Sequence, residues 1–292
     1  MRAPIRMTSG PPGTWDTVIG PRQGWLKFDL REFWHFRDLL RLLVLRDLTA
    51  QYKQTVLGPL WLVLQPLLTT LTYTVMFGLV ARLAPKGIPP MLFYLSGIVP
   101  WTCFAGVVNK TSKTFVSNAA VLTKVYFPRL IMPVSTTLSS LVSFLIQLAL
   151  LVVIILLYSI FGGFHWTPSP QLVFLPLVIG LLSLLGLGAG IIVSAMTTKY
   201  RDLGFLVSFG VQLLMFASPV IFPLELVAKN PKLLAVLNAN PMTPVIQAVR
   251  TMFFGGTLDW HGLAYATAFA IVLFTAGIAV FQRVERSFAD VV

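Results

Sequence analysis

Long apolar blocks alternate with short polar segments along most of the 292 residues of the chain. The six blocks that are long enough to cross a membrane lie near 57–81, 89–109, 131–161, 170–197, 203–222 and 262–282. A helix needs about 20 apolar residues to span the hydrocarbon core of a bilayer. The pattern therefore predicts an all-α integral membrane protein with six transmembrane helices. Because no small-residue cleavage site stands behind the first block, we expect it to be a retained membrane helix.

Two polar segments precede the first apolar block. Residues 1–28 are rich in Pro, Gly and polar side chains and are expected to form a mobile cytoplasmic tail. Residues 29–55 are predicted to form an amphipathic helix that lies along the membrane surface, with basic residues on its polar side. Its apolar face consists of Phe33, Phe36, Leu40, Leu43 and Val44. A cytosolic helix packed on a partner is the alternative for this segment.

Two moderately apolar pieces, 224–238 and 241–254, lie between the fifth and sixth blocks. Each is about half a span long, so neither crosses the bilayer alone. Asn240-Pro241 is typical of a helix start, with an N-cap residue followed by proline. We predict a re-entrant helical hairpin over 224–254 that enters from the outer side. The hairpin belongs to a transmembrane domain over 56–283, which a cytoplasmic C-terminus follows at 284–292.

Small residues are concentrated in the fourth block. Gly186 and Gly190 form a small-xxx-small pair, which allows two helices to approach closely. Packing within the chain is favoured over contact between chains as the reason for this pair.

The distribution of basic residues indicates the orientation of the chain. Only 11% of the residues are charged, yet the net charge is +12. Seventeen of the 22 lysines and arginines fall in 1–55, 110–129, 197–202 and the residues after 282, and five fall in the alternate loops. The positive-inside rule then places both termini in the cytoplasm, with an even number of spans. No motif that reads nucleic acid accompanies the charge, so nucleic-acid binding is not expected.

The chain lacks the side-chain groups that most membrane chemistry requires. His35, His165 and His261 are far apart and have no acidic or thiol neighbours at ligand spacing, so no metal site is predicted. No acidic residue lies near the middle of a span, which argues against an ion-coupled carrier and against paired-carboxylate catalysis. We predict no catalytic residue and no cofactor bound by this chain. Any energy for its work must come from another protein.

Several motifs resemble those of one known family, and they occur in the same order. They are Arg46-Asp47-Leu48, Gln51 to Trp61, Gln65-Pro66, Asn118-Ala119-Ala120, Lys124 to Arg129, Lys199 to Leu203, and Asn240 to Thr243. Together they resemble the membrane subunit of ABC-2 type polysaccharide exporters, which move O antigen, capsule or teichoic acid. The resemblance covers about residues 38–285. Gln51 departs from the basic residue that often precedes the tyrosine in this family.

The resemblance implies partners and contact residues. It implies a homodimer joined to two ATP-binding cassette subunits, which hold the ATP and Mg²⁺, and a polyprenyl-diphosphate-linked polysaccharide as substrate. The residues that would couple to the ATP-binding subunit are Asn118, Lys124, Tyr126, Phe127, Pro128, Arg129, Lys199, Tyr200, Arg201 and Asp202. The hairpin, with Asn240, Pro241 and Thr243, resembles the outer gate of the family.

Residues for the substrate are open to two interpretations. Arg46 and Lys53 either receive the lipid diphosphate or are ordinary basic residues at the membrane surface. Aromatic rings can stack on sugars, and the candidate path residues are Tyr73, Phe77, Tyr94, Trp101 and Phe104. Helix packing or an interfacial aromatic belt is the alternative for these rings.

Two rival functions remain at this level. One is an ABC-2 permease for a drug, haem or a lipid, which would share the fold and the coupling. The stretch from Lys53 to Gly58 favours the polysaccharide branch. The other is a membrane glycosyl- or acyltransferase, which would need a catalytic Asp, Glu or His near the membrane surface, and the acidic residues here do not cluster.

Overall fold

The structure is a computed structural model that describes residues 34–118, 127–197, 200 and 202–287, with side chains described up to 283. Helices and turns make up this part of the chain, and it contains no strand. Several predictions lie wholly or partly outside the described residues: the tail 1–28, the interfacial helix before residue 34, Lys124, Tyr126, Lys199, Arg201, and the C-terminus beyond 287.

Helix α1, Arg37–Tyr52, corresponds to the predicted interfacial helix. Its buried side is centred on Leu43, which packs in one cluster with Phe127, Ile131 and Met132. These three residues lie just before and within the first turn of a long helix that begins at Ile131. The apolar stripe predicted for this segment is therefore used, at least in part, to attach α1 to the rest of the chain.

The first membrane helix changes geometry twice. A 3₁₀ turn, Gly58–Leu60, leads into α2, Trp61–Tyr73, and a π-helical stretch follows at Thr74–Val80. Together these pieces form one apolar rod from Gly58 to Val80, of which only a small part is buried. A change of hydrogen-bond register within a helix often accompanies a functional position.

Four other helices are long and apolar enough to cross a membrane. They are α3, Pro90–Ser117; α4, Ile131–Phe161; α5, Leu175–Thr197, after a 3₁₀ turn at Pro170–Phe174; and the last helix, α10, Trp260–Ser287. Helix α3 is the most buried of the set and packs against α4 on one side and α5 on another. Helix α10 packs along α5.

The glycines of α5 explain how this helix has neighbours on two sides. A Cβ built on Gly190 would lie 2.5 Å from the Cβ of Thr111 in α3, and one built on Gly186 would lie 2.8 Å from the Cβ of Val107. Gly188 faces the other way, where a Cβ would meet the backbone nitrogen of Phe274 in α10 at 2.8 Å. The predicted use of the small-residue pair for packing within the chain is confirmed.

The fifth apolar block is a shorter helix than the sequence predicts. Helix α6 runs only from Leu203 to Phe216, 14 residues, which corresponds to about 21 Å of helix. Residues 217–222 form turns instead. Pro219 and Pro223 explain the break, because proline cannot donate the backbone hydrogen bond that would continue the helix.

Three short helices follow: α7, Leu224–Val227; α8, Pro231–Ala239; and α9, Met242–Phe254. The far end of α9 is fixed by the loop between α4 and α5, because the Trp166 indole donates to the carbonyl of Phe253 at 2.7 Å. The near end lies deeper along α10, where the Tyr265 hydroxyl donates to the carbonyl of Ala239 at 2.7 Å. Helix α9 therefore runs back towards the end of the bundle that carries this loop.

Arg250 holds this region together from inside. Its side chain is buried, with the residue only 6% exposed, and the guanidinium donates to the carbonyls of Pro219 and Val220. The charged group also lies 3.8 Å from the ring centroid of Phe93 in α3. Gly97 leaves the necessary room, because a Cβ there would lie 2.8 Å from Nη2 of Arg250. Arg250 therefore supplies hydrogen-bond donors to backbone carbonyls that lie outside any helix.

We expect Gly190→Ala to destabilise the chain by about 1–3 kcal/mol, because the added methyl group overlaps Thr111 and forces α3 and α5 apart. Gly180→Ala is the matched control on the same helix, since no atom lies within 4 Å of its added Cβ. Thermal unfolding in detergent can be followed by a thiol-reactive dye, because Cys103 is buried and is the single cysteine of the chain. Equal melting temperatures for the two variants would show that the α3–α5 contact is not tight.

Candidate functional site

A cavity of about 650 Å³, lined mainly by charged and polar residues, opens at one end of the bundle. We call it the basic pocket. It lies between α1, the last two turns of α3 and the first turns of α4, and its lining residues are Arg46, Asp47, Ala50, Gln51, Asn109, Lys110, Lys113, Thr114, Ser117, Asn118, Thr136 and Ser139. Three cations and one carboxylate are therefore present among the described residues of its wall.

Helix α3 supplies most of this wall because it continues eight residues beyond the predicted end of its span. Lys110 and Lys113 lie one turn apart on this extension, next to Thr114 and Ser117. The hydroxyls of Thr114 and Ser117 donate to carbonyls four residues earlier, at 2.9 Å each. Polar residues that bond back to their own helix in this way are compatible with a continuous helix outside the apolar zone.

Two hydrogen bonds connect α1 to the end of α3 across the pocket. Arg46 donates through Nη2 to Oδ1 of Asn118 at 2.9 Å, and it also pairs with its neighbour Asp47 at 2.8 Å. Lys110 donates to the amide oxygen of Gln51 at 3.0 Å. The end of α3 and the surface helix are thus joined directly before the segment that was predicted to couple to a partner.

The described residues of the two predicted coupling segments lie at this same end. Asn118 ends α3, and the carbonyls of Pro128 and Arg129 accept the first backbone hydrogen bonds of α4. Tyr200 and Asp202 stand between α5 and α6, and Tyr200 is 54% exposed. The two segments are brought together where the Thr197 hydroxyl donates to the carbonyl of Ser112 at 2.6 Å.

Phe127 has an internal position. It is only 5% exposed and lies beneath α1, in the cluster with Leu43. Its ring therefore supports the surface helix.

The two basic residues predicted to meet a diphosphate separate in the structure. Arg46 lines the basic pocket, whereas Lys53 follows the last residue of α1, is exposed and is outside the pocket wall. The residues predicted for the outer gate lie at the start of α9. Asn240 donates to the carbonyl of Ala217 at 3.0 Å, Pro241 precedes the helix, and the Thr243 hydroxyl donates to the carbonyl of Leu237 at 2.6 Å.

The five aromatic residues proposed for a glycan path belong to the main core or pack against it. Tyr94, Trp101 and Phe104 are buried in the main core, and Tyr73 and Phe77 are half-buried beside it. Tyr73 contacts both Phe77 and Tyr94 in edge-on geometry, with ring centroids 5.4 and 6.4 Å apart. Helix packing accounts for the three buried rings, and a role in a path stays a prediction.

Sequence reasoning did not single out Lys110, Lys113 or Arg250. The spacing of the two lysines was a usable signal, since three residues separate groups on one helical face. Arg250 gave no such signal, because its partners are backbone carbonyls and a ring more than 150 positions away in the chain. Within the described residues, no group of three or more His, Cys, Asp or Glu side chains is arranged to hold a metal ion.

Within the part of the chain that the structure describes, five long apolar helices, a buried central helix and a basic end define a multi-pass membrane protein. The chain belongs to the ABC-2 type transporter family, whose model matches residues 38–254. The membership that the sequence motifs indicated is thereby confirmed. The family also places the chain among transport subunits and not among membrane transferases.

Relatives match over most of their lengths. The O-antigen export system permease protein RfbA of Myxococcus xanthus is 30% identical over 263 residues, which are 89% of this chain and 98% of the relative. The protein of the same name from Klebsiella pneumoniae is 28% identical over 254 residues, 87% of this chain and 95% of the relative. The polysialic acid transport protein KpsM of Escherichia coli is 25% identical over 248 residues, 84% and 93% of the two chains.

We expect Phe127→Ala to loosen α1, because the ring is the part of the loop before α4 that packs beneath it. Amide hydrogen exchange over residues 37–52 should quicken by about tenfold or more, as a local opening costs less free energy once the cluster is emptied. Phe205→Ala removes the same atoms from a side chain that is 79% exposed, and it serves as the control. Unchanged exchange in α1 would show that another contact holds the helix.

Proposed function

We propose that this chain is the membrane subunit of an ATP-driven exporter that moves a lipid-linked polysaccharide from the cytoplasmic side across the plasma (inner) membrane. The observation that carries the proposal is the similarity to O-antigen and polysialic acid export permeases over 84–89% of the chain. The position of the two predicted coupling segments at one basic end supports it. In this proposal two copies form a homodimer, each copy is joined to an ATP-binding cassette subunit, and the lipid carrier is a polyprenyl diphosphate.

The contacts at the basic end support a route by which ATP could act on this chain. The partner subunits would hold ATP and Mg²⁺ and would push on the segment between α3 and α4 and on the segment between α5 and α6. Because Arg46 bonds to Asn118 and Phe127 lies beneath α1, a displacement of the first segment also moves the surface helix. The interfacial helix and the coupling segment then act as one mechanical unit.

We further propose that residues 203–222 also cross the membrane, as the fifth of six crossings in chain order, and that 224–254 re-enter from the outer side. Helix α6 begins at the basic end, where the ammonium of Lys113 lies 6.0 Å from the ring centroid of Phe205. Its continuation at Val220 lies beside Gly97, seven residues from the opposite end of α3. The rise of 1.5 Å per helical residue makes this distance about 10 Å. The number of crossings is then even, which agrees with an N-terminus and a C-terminus that both lie in the cytoplasm.

The coupling proposal predicts a specific loss of ATP turnover. With the full chain copurified with the ATP-binding protein encoded beside it, Arg129→Glu should lower the stimulated part of the turnover by tenfold or more, since reversed charge at a docking surface costs several kcal/mol and about 1.4 kcal/mol is already tenfold. Lys232→Glu makes the same charge change on the exposed face of α8 and should leave turnover near the unaltered level. If both variants insert normally and show equal turnover and export, the proposed coupling surface is incorrect.

The crossing proposal is tested by single cysteines in a Cys103→Ala background. We expect a membrane-impermeant maleimide to label Lys232→Cys and Gly256→Cys in intact spheroplasts, and to label Phe205→Cys only after permeabilisation. A fluorescent protein fused after residue 292 should fluoresce, because the C-terminus is cytoplasmic. Labelling of Phe205→Cys and Gly256→Cys from the same side would show that residues 203–222 do not cross the membrane.

A further inference from the structure

We propose that the basic pocket binds the phosphate group of a lipid, with Lys110 and Lys113 as its main donors. The proposal rests on the proposed function to the extent that the exported lipid diphosphate is one source of such a group. The phosphodiester of an anionic bilayer lipid is the other source. Both present charged phosphate oxygens at the end of an apolar chain.

The charges of the pocket are unbalanced. Arg46 donates two hydrogen bonds to Asp47, at 2.8 and 3.1 Å, and the same carboxylate also attracts the ammonium of Lys110. Lys110 is half-buried, and its single hydrogen bond among the described residues goes to the neutral amide of Gln51. Lys113 lines the pocket one turn away, and its ammonium lies towards α6, 6.0 Å from the ring centroid of Phe205. The wall thus has three cations and one carboxylate, an excess of two positive charges, which favours an anion because a partly desolvated charge is costly unless it is balanced.

The donors of Lys110 are only partly used. An ammonium carries three N–H donors, and Gln51 takes one of them. A phosphate oxygen in the cavity would take another as a short, charge-assisted hydrogen bond. Lysine and phosphate are a common pair in proteins for this reason.

The hydroxyl groups of Thr136 and Ser139, on the floor of the pocket, do not compete with the lysines as donors to a bound anion. Thr136 and Ser139 donate to carbonyls of their own helix at 2.9 Å each. Their protons are therefore already used, and the lysines remain the principal donors to a ligand. The preference of the pocket for an anion thus depends mainly on Lys110 and Lys113, which can be substituted one at a time.

The size and place of the pocket fit a lipid headgroup. Its volume of about 650 Å³ lies within the range of roughly 300–1,000 Å³ that is usual for small-molecule sites. It lies at the end of the apolar helices, beside the surface helix α1, and Leu42 and Leu45 are exposed on that helix. A lipid whose phosphate group occupies the pocket would have its apolar chain beside these two exposed leucines.

Binding can be measured on the full-length chain purified alone in detergent, by titration with farnesyl diphosphate, with inorganic diphosphate and with nanodiscs containing phosphatidylglycerol or phosphatidylcholine. We expect Lys110→Met and Lys113→Gln each to weaken farnesyl diphosphate binding by about tenfold, the loss typical of one charge-assisted hydrogen bond. Arg41→Gln is the matched control, because Arg41 is an exposed cation on α1 that is outside the pocket wall. Lys110→Arg, which keeps the charge, should retain most of the affinity.

The outcomes separate the sources of the phosphate. If the pocket variants lose only farnesyl diphosphate binding, the site exists and its occupant is a lipid of the exported type. If they lose only phosphatidylglycerol binding, the site exists and its occupant is a bilayer lipid. Equal affinities for the pocket variants and Arg41→Gln would overturn the proposal. If Lys110→Met does not fold, the exposed Lys113 carries the test. None of these measurements uses ATP turnover, so failure here and failure of the proposed export function are distinguishable.

Discussion

The close approach of α3 and α5 at Gly186 and Gly190 is the constraint on which the rest of the structure depends. In a bilayer, lipid tails are as apolar as leucine, so helices associate through close packing and not through removal of apolar surface from water. Val107 and Thr111 occupy the space that side chains on these glycines would fill. Once α3 and α5 are joined in this way, Gly188 gives α10 the same access from the other side. The three helices form a rigid centre, against which α4 and α9 pack.

The rigid centre also makes an irregular segment possible at membrane depth. Backbone groups that leave a helix within the bilayer need partners from the protein, because lipid offers none. At 217–222 these partners are the guanidinium of Arg250 and the amide of Asn240. Both side chains belong to the short helices that follow, and Arg250 is held against Phe93 of α3. The short helices and the broken end of α6 therefore stabilise each other.

The parts of the fold that could be predicted from the sequence are those controlled by local composition. Helix α4 and the α5 segment run over 131–161 and 170–197 as predicted, because proline, glycine or polar residues stand at both ends of these apolar runs. Helix α3 is longer than predicted, since Lys110 and Thr114 end the apolar zone without ending the helix. Helix α6 is shorter, since apolar character continues past Phe216 although Pro219 stops the backbone pattern. Hydropathy reports the solvent that a segment prefers, and backbone chemistry decides where its helix ends.

Some features of the candidate site could likewise be predicted from the sequence, and others could not. Family motifs could locate both ends of the coupling segments, and the structure brings their described residues to one end of the bundle. The same motifs gave no reason to expect that Phe127 is internal or that Arg46 and Lys53 are separated. These outcomes depend on which face of α1 packs on α4, and a motif does not specify that face. The pocket likewise arises from three elements that are distant in the chain, so no local pattern contains it.

The burial of Arg250 has a consequence for the order in which the molecule is made. A chain that leaves the ribosome from its N-terminus delivers Phe93, Gly97 and the carbonyls of 219 and 220 before it delivers the arginine. The receptor for the charge is thus complete when the charge arrives, and an unpaired guanidinium need not wait in the lipid. Helix α9 then packs against α3, and α10, which follows it in the chain, completes the rigid centre afterwards. A truncated nascent chain that stops before residue 250 would have every long helix except α10, yet its 217–222 carbonyls would lack their partner.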